Sequence, residues 1–225
     1  MNYYPCVFSR VLRAMAVAVL MATSLLGLGA QAQESGTAPL GVAEIREAIK
    51  TQLPPPPLGF DWHLYKNTVF LQALNWIEAE HVSSVGGVPM AVYSASAQAF
   101  SVSQPFEMGI TVQTISGARK ARNMDAKDMA VLYLKPYVDA HTKENVLLLE
   151  RSENADTERT VFRYRDTPVG SRPVIVHKFV MASNDADTVH VFTFQSPETT
   201  WGENWKAFGK PFLGKLVVLP NVPAN

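Results

Sequence analysis

Residues 188–201, TVHVFTFQSPETTW, join a strand directly to a helix. β-branched and aromatic residues fill Thr188–Gln195, and a run of that kind predicts a strand. Ser196 is a candidate N-cap, Pro197 would occupy the first helical position, and Glu198 would favour the positive end of the helix dipole. The sequence therefore predicts that the strand ends at Gln195 and that a closing helix starts at once.

The closing helix carries its aromatic residues on one face. Trp201, Trp205 and Phe208 recur at intervals of four and three residues, so a helix places them on one stripe. Gly209 and Pro211 predict where this helix ends. An aromatic stripe usually belongs to the core, but Trp201 and Trp205 are also a candidate aromatic face for a binding partner.

The rest of the chain supplies one further long helix and several strands. Asp125 is a candidate cap for that helix, and Pro136 is expected to kink or break it. In the strand Arg159–Asp166, two aromatic residues alternate with Arg163 and Arg165, as in a half-buried antiparallel strand. The order of elements predicts an α+β domain. The predicted strands are Asp61–Leu71, Asn75–Val82, Val88–Ser94, Phe106–Ile115, Asn145–Arg151, Arg159–Asp166, Arg172–Ser183 and Thr188–Gln195.

The first 57 residues precede this domain. Apolar residues at intervals of three and four predict an amphipathic helix over Val42–Leu53, after a polar leader that starts at residue 33. Pro54–Pro57 stops the helix and predicts a stiff polyproline spacer. The helix either packs on the domain or projects as a partner-binding arm. We expect a single domain over residues 58–218 and a tail over 219–225.

Residues 1–32 have the pattern of a cleaved secretory signal. Arg10 and Arg13 precede the apolar run Ala14–Leu28, and Ala30-Gln31-Ala32 fits the small-x-small rule of a signal peptidase site. The run is too short and too rich in Ala and Gly for a membrane span. We therefore expect export by the general secretory route, cleavage after Ala32, a periplasmic location and no transmembrane segment in the mature chain.

Charge and cysteine content narrow the classes of function. The chain has 20 Lys and Arg and 20 Asp and Glu. Removal of the signal takes away Arg10 and Arg13, and the resulting balance argues against a nucleic-acid-binding protein. Cys6 is the one cysteine, and it lies within the signal. Disulfides, thiol catalysis and cysteine-based zinc sites are therefore not expected in the mature protein.

The five histidines, which would be the natural metal ligands, do not form a recognised ligand motif. A turn at Asn184–Asp187 would pair His177 with Phe194 and His190 with Met181, which places the two rings on the order of 13 Å apart. We therefore expect individual exposed or half-buried histidines. G-x-S-x-G, P-loop and G-x-G-x-x-G motifs do not occur, so the sequence indicates no catalytic, cofactor-binding or metal-binding residue. The histidines are His63, His81, His141, His177 and His190.

One basic cluster stands out in this nearly neutral chain. It consists of Arg119, Lys120, Arg122 and Lys127, in and just after the predicted basic loop Ser116–Asn123. It is a candidate docking surface for an acidic partner or for anionic lipid head groups. The alternative is a solvated loop ahead of a helix.

Four stretches resemble the PsbP-like family. They are GFDWHLYKN, the LNW that follows it, PFEMGITVQTI and TVHVFTFQSPETTW, within residues 58–218. This family comprises relatives of the extrinsic photosystem II subunit, the periplasmic DcrB type and the Ran-binding Mog type. The resemblance implies an α–β–α sandwich with a central antiparallel sheet. It also implies a non-enzymatic adaptor or assembly factor, and it supplies no catalytic residues.

Three hypotheses of function follow. The first is an exported, non-enzymatic binding or assembly protein that acts through contact with an envelope protein. The second is a periplasmic module that binds a small ligand or a metal, and the third is a hydrolase whose residues meet only in space. Partner identity and oligomeric state do not follow from the sequence.

Overall fold

The computed structural model describes residues 42–101, 105–168 and 171–219. The predicted signal and leader up to residue 41, and most of the predicted tail, lie outside the described residues. The chain divides between Pro55 and Pro56, within the proline run, into two units. In the first unit the structure describes one helix, α1 (Val42–Gln52), which agrees with the predicted range to within one residue.

The described part of the second unit consists of antiparallel strands and three helical segments. The last segment, α4, spans 198–214 and changes from a 3₁₀ turn to an α turn, a π turn and a final α turn. The strands are β1 (Phe60–Tyr65), β2 (Thr68–Ala73), β3 (Ile77–Val85), β4 (Val88–Ser96), β5 (Gly109–Ser116), β6 (Val146–Glu153), β7 (Thr157–Asp166), β8 (Val174–Ser183), β9 (Thr188–Pro197) and β10 (Val217–Val218), and the other helices are α2 (Ala118–Arg122) and α3 (Ala126–Asp139).

Seven strands form the main sheet, in the order β3-β4-β5-β9-β8-β7-β6, and β1-β2-β10 form a smaller sheet. Every pairing is antiparallel. The architecture confirms the predicted α+β class. In the β8–β9 hairpin, His177 pairs with Phe194 and His190 pairs with Met181, as the turn at Asn184–Asp187 predicts.

The main sheet has a hydrophobic core on each face. On one face, Met129 and Tyr133 of α3 pack with Phe162 of β7 and Val191 of β9. The opposite face packs against α4 and the smaller sheet, through the side chains Phe70, Phe192, Phe194 and Phe212. Helices therefore lie on both faces of a central antiparallel sheet, and one outer layer also contains a small sheet. The inner strands β4, β5, β8 and β9 bury residues on both faces of the sheet, which requires apolar side chains at both odd and even positions.

The predicted strand Asp61–Leu71 is instead a hairpin. β1 and β2 pair with each other, and Tyr65 lies opposite Thr68. The chain reverses at Lys66, which adopts the left-handed φ of 51°. A two-residue hairpin turn needs positive φ values, and Lys66-Asn67 is a weaker signal for it than Asn-Gly.

Two predictions around α3 were wrong. The predicted break at Pro136 does not occur, because α3 continues through it to Asp139, while a kink there remains a prediction. Pro136 lies in the last turn of α3, and only three helical residues follow it. Its missing N–H therefore removes one hydrogen bond close to the end of the helix. The predicted basic loop contains the short helix α2. Asp125 occupies the N-cap position of α3, but its carboxylate contacts Arg119 rather than the helix backbone.

Both predicted ends of the closing helix were also wrong. β9 continues through Pro197, because Ser196 and Pro197 still pair with β8. The helical segment also passes Gly209 and Pro211 and ends at Gly214. A π turn at Trp205–Gly209 precedes the proline. The wider turn separates the proline ring from the carbonyl that it would meet in a regular α-helix.

Candidate functional site

The candidate aromatic face lies on the first turns of α4. The rings of Trp201 and Trp205 stack with their centroids 5.3 Å apart and their planes inclined by 19°. Both side chains are half-buried. Phe194 of β9 lies beneath them, with its centroid 5.6 Å from Trp201 and 6.0 Å from Trp205. The two tryptophans therefore pack partly on the core residue Phe194 and remain partly exposed to solvent.

Arg163 of β7 meets this aromatic pair from the sheet. Its guanidinium carbon lies 5.3 Å from the ring centroid of Trp201 and 5.0 Å from that of Trp205. Both distances are within the range of cation–π attraction. The alternation along β7 explains the meeting, because Phe162 and Tyr164 point toward α3 while Arg163 points toward α4. The sequence predicted the two faces of this strand but not the contact.

His177 accepts a hydrogen bond from the guanidinium of Arg163. Nε of Arg163 donates a hydrogen bond of 3.1 Å to Nδ1 of His177, and these residues are partners across β7 and β8. The imidazole also lies 4.8 Å from the ring of Trp205. Burial and the neighbouring Arg163 charge lower the pKa of His177 to about 3. The imidazole is therefore neutral at pH 7, with Nδ1 as the acceptor.

The terminal nitrogens of Arg163 remain available. In the described part of the chain, Arg163 makes neither an ion pair nor a hydrogen bond other than the one from Nε, and these nitrogens are not enclosed. Arg165, on the same face, does have an acidic partner, since it donates to Glu198 at 2.8 Å and 2.5 Å. Burial lowers the pKa of Arg163. We call Arg163, His177, Trp201 and Trp205 the Arg163 site.

The Arg163 site borders a part of the sheet that is only partly covered. On the face toward α4, the apolar side chains of β5 and β9 are buried, as are Tyr93 and Ala95 of β4. On β8 and β7 the residues of the same face, Phe179, Met181 and Val161, are only half-buried, and Arg159 is exposed. The resulting surface is apolar with positive charges within it.

The structure divides the predicted basic cluster. The Arg119 side chain donates to the Asn184 carbonyl at 3.0 Å and pairs with Asp125 at 3.2 Å. Nζ of Lys127 donates to the Asn154 carbonyl at 2.8 Å. These two residues therefore hold α2 and α3 against the β8–β9 and β6–β7 turns. The other two residues of the cluster, Lys120 and Arg122, are exposed.

Comparison with known proteins gives a structural likeness. No family model and no curated protein matches the chain. The solution structure of cyanobacterial PsbP (CyanoP) from Synechocystis sp. PCC 6803 superposes with a TM-score of 0.42 and 15% identity, covering 71% of this chain and 92% of that one. The Ran-binding protein Mog1p of Saccharomyces cerevisiae superposes with a TM-score of 0.40 and 14% identity, covering 71% and 96%. The chain resembles PsbP and Mog1 in structure.

A point mutant of Mog1 gives a similar result, with a TM-score of 0.39, 13% identity and coverage of 72% and 97%. Within the described residues, no helix is long and apolar enough to cross a bilayer.

Lys178 is a buried cation that the sequence analysis missed. It lies on β8, on the face toward α3, and is 6% exposed. Its Nζ lies 3.2 Å from the Tyr133 hydroxyl, 3.3 Å from Thr193 Oγ1 and 4.3 Å from the ring centroid of Tyr137. Burial lowers the pKa of Lys178 to about 8, and Asp166 opposes that shift. The ammonium is enclosed between α3 and the sheet, away from the Arg163 site.

The expectation of exposed or half-buried histidines was wrong for two of them. His177 and His190 are buried, at 6% and 5% exposure. Nδ1 of His190 lies 3.3 Å from Thr114 Oγ1, and burial lowers the pKa of His190 to about 4. Among the residues described, no group of three or more metal-ligating side chains converges. Both rings are therefore neutral parts of the core.

A shallow cleft lies beside β1 and β2. It measures about 160 Å³, and its lining includes Trp62, Gln72 and Trp76. Small-molecule sites are commonly about 300–1,000 Å³. In the wall of the cleft, Gln72 donates to Glu78 at 2.6 Å and accepts a hydrogen bond from Tyr93. The cleft is smaller than common small-molecule sites, so it gives no specific support to a ligand-binding function.

Proposed function

We propose that the protein is an exported, non-enzymatic binding or assembly protein that acts through protein contact in the cell envelope. The Arg163 site carries this proposal. It combines two stacked tryptophans with an arginine whose terminal nitrogens make no hydrogen bond within the described residues, and all three side chains reach the surface. Tryptophan and arginine are the residues that most often supply the binding energy of protein interfaces.

The surface around the Arg163 site supports the same function. Val161, Phe179 and Met181 form a half-buried apolar border that continues along β7 and β8 from Arg163 and His177. A partner that covered this border would bury apolar area that the fold leaves partly in water. The proposal of export rests on the separate pattern of Arg10, Arg13 and the Ala30-Gln31-Ala32 ending.

Site-specific crosslinking in cells tests the proposal. A photoreactive amino acid placed at Val161 lies on the same strand face as Arg163, whereas one placed at Val131 is exposed on α3, on the opposite face. We expect illumination to give a discrete adduct with an envelope protein from position 161 and none from position 131. The absence of an adduct at 161, or the same adducts from both positions, would contradict binding at this face.

Cell fractionation and N-terminal sequencing test the location separately. We expect the mature protein in the periplasmic fraction with Gln33 as its first residue. Retention of residues 1–32 in a cytoplasmic fraction would refute export without bearing on the Arg163 site.

A further inference from the structure

We propose that the Arg163 site binds the carboxylate of an aspartate or glutamate side chain in an acidic segment of the partner. This inference rests on the proposed function, and it identifies the chemistry of the group that occupies the site. It starts from the state of the guanidinium. Arg163 is partly buried next to two aromatic rings, yet the described chain supplies it with no carboxylate.

The geometry leaves one edge of the guanidinium for a ligand. Nε of Arg163 already donates to His177. The two terminal nitrogens are free of protein hydrogen bonds within the described chain, and their outward N–H groups form a fork. A carboxylate has two oxygens at the matching separation and accepts two parallel hydrogen bonds from such a fork. A neutral amide has one acceptor oxygen and no charge, so it would bind more weakly.

The site also holds the fork in place before a ligand arrives. Hydrogen bonding to His177 fixes the orientation of the guanidinium plane, and the rings of Trp201 and Trp205 fix its position. Because the side chain is already ordered, a ligand need not offset the loss of its rotamer freedom. The rings also exclude water from part of the charge, which strengthens its attraction for an anion.

The charges on this face favour an acidic ligand. On this face β7 carries Arg159, Arg163 and Arg165, and its neighbour β6 carries the acidic Glu150. The acidic residues of α4 are Glu198 and Glu203, and Glu78 and Glu80 lie on the same sheet face at the far edge strand β3. Glu198 is occupied by Arg165. Glu150 makes no ion pair with Arg163, although it lies on the neighbouring strand and pairs with Val161. His177 is neutral and adds no charge. A partner carboxylate would therefore meet a locally positive region, because β6 and β7 carry three arginines against one glutamate on this face.

A peptide titration followed by NMR tests this inference on the mature protein. The probe is the blocked peptide Ac-AEAEAEA-NH2, and its control is Ac-AQAQAQA-NH2, which has the same shape without charge. The chain contains four tryptophans, so the indole N–H signals provide an internal control. We expect the glutamate peptide to shift the signals of Trp201 and Trp205 with saturation and to leave those of Trp62 and Trp76 in place. The glutamine peptide should shift none.

Variants assign the effect to the fork. Arg163→Gln removes the charge, and Arg163→Lys keeps the charge but lacks the fork, so each should weaken glutamate-peptide binding by about tenfold or more. Arg159→Gln, four residues away on the same strand face, should weaken it by less than about threefold. The NMR spectrum of each variant reports whether it is folded. Equal binding of the two peptides, or unchanged binding by folded Arg163→Gln, would overturn the inference.

Crosslinking from position 161 separates this inference from the proposed function. If Arg163→Gln abolishes the partner adduct, carboxylate recognition operates in the cell. If the adduct persists in Arg163→Gln and the peptide fails to bind, the carboxylate inference is wrong and the protein-binding function stands. If the unsubstituted protein gives no adduct, the proposed function itself fails.

Discussion

At the residue scale, the buried histidines couple stability to pH. The pKa values of His177 and His190 fall from 6.5 to about 3 and about 4 in the folded protein. Between about pH 6.5 and these values the unfolded chain binds the protons and the folded protein does not. The free energy of unfolding therefore falls as the pH decreases through this window.

We predict that each buried histidine removes about 2 kcal/mol from the free energy of unfolding between pH 7 and pH 5. Urea unfolding of the His190→Gln variant at the two pH values checks this, because the difference between pH 7 and pH 5 should shrink by about that amount relative to the unsubstituted protein. His81 is exposed, and His81→Gln is the matched control. An unchanged pH dependence in His190→Gln would show that His190 titrates normally in the fold.

Lys178 has the opposite relation to pH. Its pKa falls from 10.5 to about 8, so the unfolded chain binds the extra proton between about pH 8 and 10.5. The contribution of Lys178 to stability therefore becomes more favourable as the pH rises through that window. Below pH 8 the folded protein holds a buried ammonium, whose desolvation is only partly offset by its hydrogen bonds and by the ring of Tyr137.

We predict that Lys178→Met raises the free energy of unfolding by about 2 kcal/mol at pH 7, because methionine fills a similar volume without the charge. The gain should diminish between pH 8 and pH 9.5, since the lysine becomes neutral in the folded protein. Chemical unfolding at pH 7, 8.5 and 9.5 checks both statements. The exposed Lys206, changed to methionine, is the control. A destabilised Lys178→Met at pH 7 would mean that the contacts of the ammonium outweigh its desolvation.

At the element scale, Gly209 was predicted to end α4, but it lies inside this helical segment and permits close packing there. Gly209 is buried in the π turn, where an added Cβ would overlap the ring of Trp205 and lie 2.8 Å from Cδ1 of Phe194. Because glycine has no Cβ, the helix backbone can approach these rings closely at this position without a clash. Sequence periodicity predicts the aromatic stripe, but it does not distinguish a glycine that ends a helix from one that permits close packing.

We predict that Gly209→Ala lowers the free energy of unfolding by about 2 kcal/mol and displaces Trp205, because the methyl group overpacks the site. Gly202 lies in the same helical segment with nothing within 4 Å of an added Cβ. Gly202→Ala should therefore raise stability by about 0.5–1 kcal/mol. Thermal unfolding and tryptophan fluorescence of the two variants check this. Equal effects of the two substitutions would contradict the packing argument.

Two of the mispredicted boundaries have different physical causes. β1 and β2 read as one strand because both are apolar and the turn at Lys66 lacks glycine. Ser196 and Pro197 have the chemistry of a helix start, yet pairing with β8 keeps both in the strand. Pairing with a neighbouring strand outweighed local preference at the second of these places.

At the scale of the whole molecule, the two predicted surfaces have different relations to the fold. Trp201 and Trp205 belong to a site that spans α4, β7 and β8. The basic cluster is divided between side chains that bind turns and side chains that face solvent. Docking by the basic cluster remains a prediction, and within the cluster it rests on Lys120 and Arg122.

We predict that reversing both exposed charges, with Lys120→Glu and Arg122→Glu, leaves the unfolding midpoint unchanged, because these side chains are exposed. If this surface docks an acidic partner, the same double variant reduces the partner adduct formed in cells. Lys127→Met is the structural contrast, since it removes the contacts to Asn154 and Ala155 and should lower the midpoint. An unchanged adduct in the double variant would assign docking to other residues.

The sequence alone was enough for the α+β class, most strands, the aromatic stripe of α4 and the register of the β8–β9 hairpin, because each depends on local periodicity or on a turn. Arg163 was placed on the correct face of its strand for the same reason. Its meeting with Trp201 and Trp205 depended on the tertiary structure, because it requires β7 to lie next to β8 and α4 to cross that end of the sheet. The residue pattern within one strand or helix does not specify which other element packs against it.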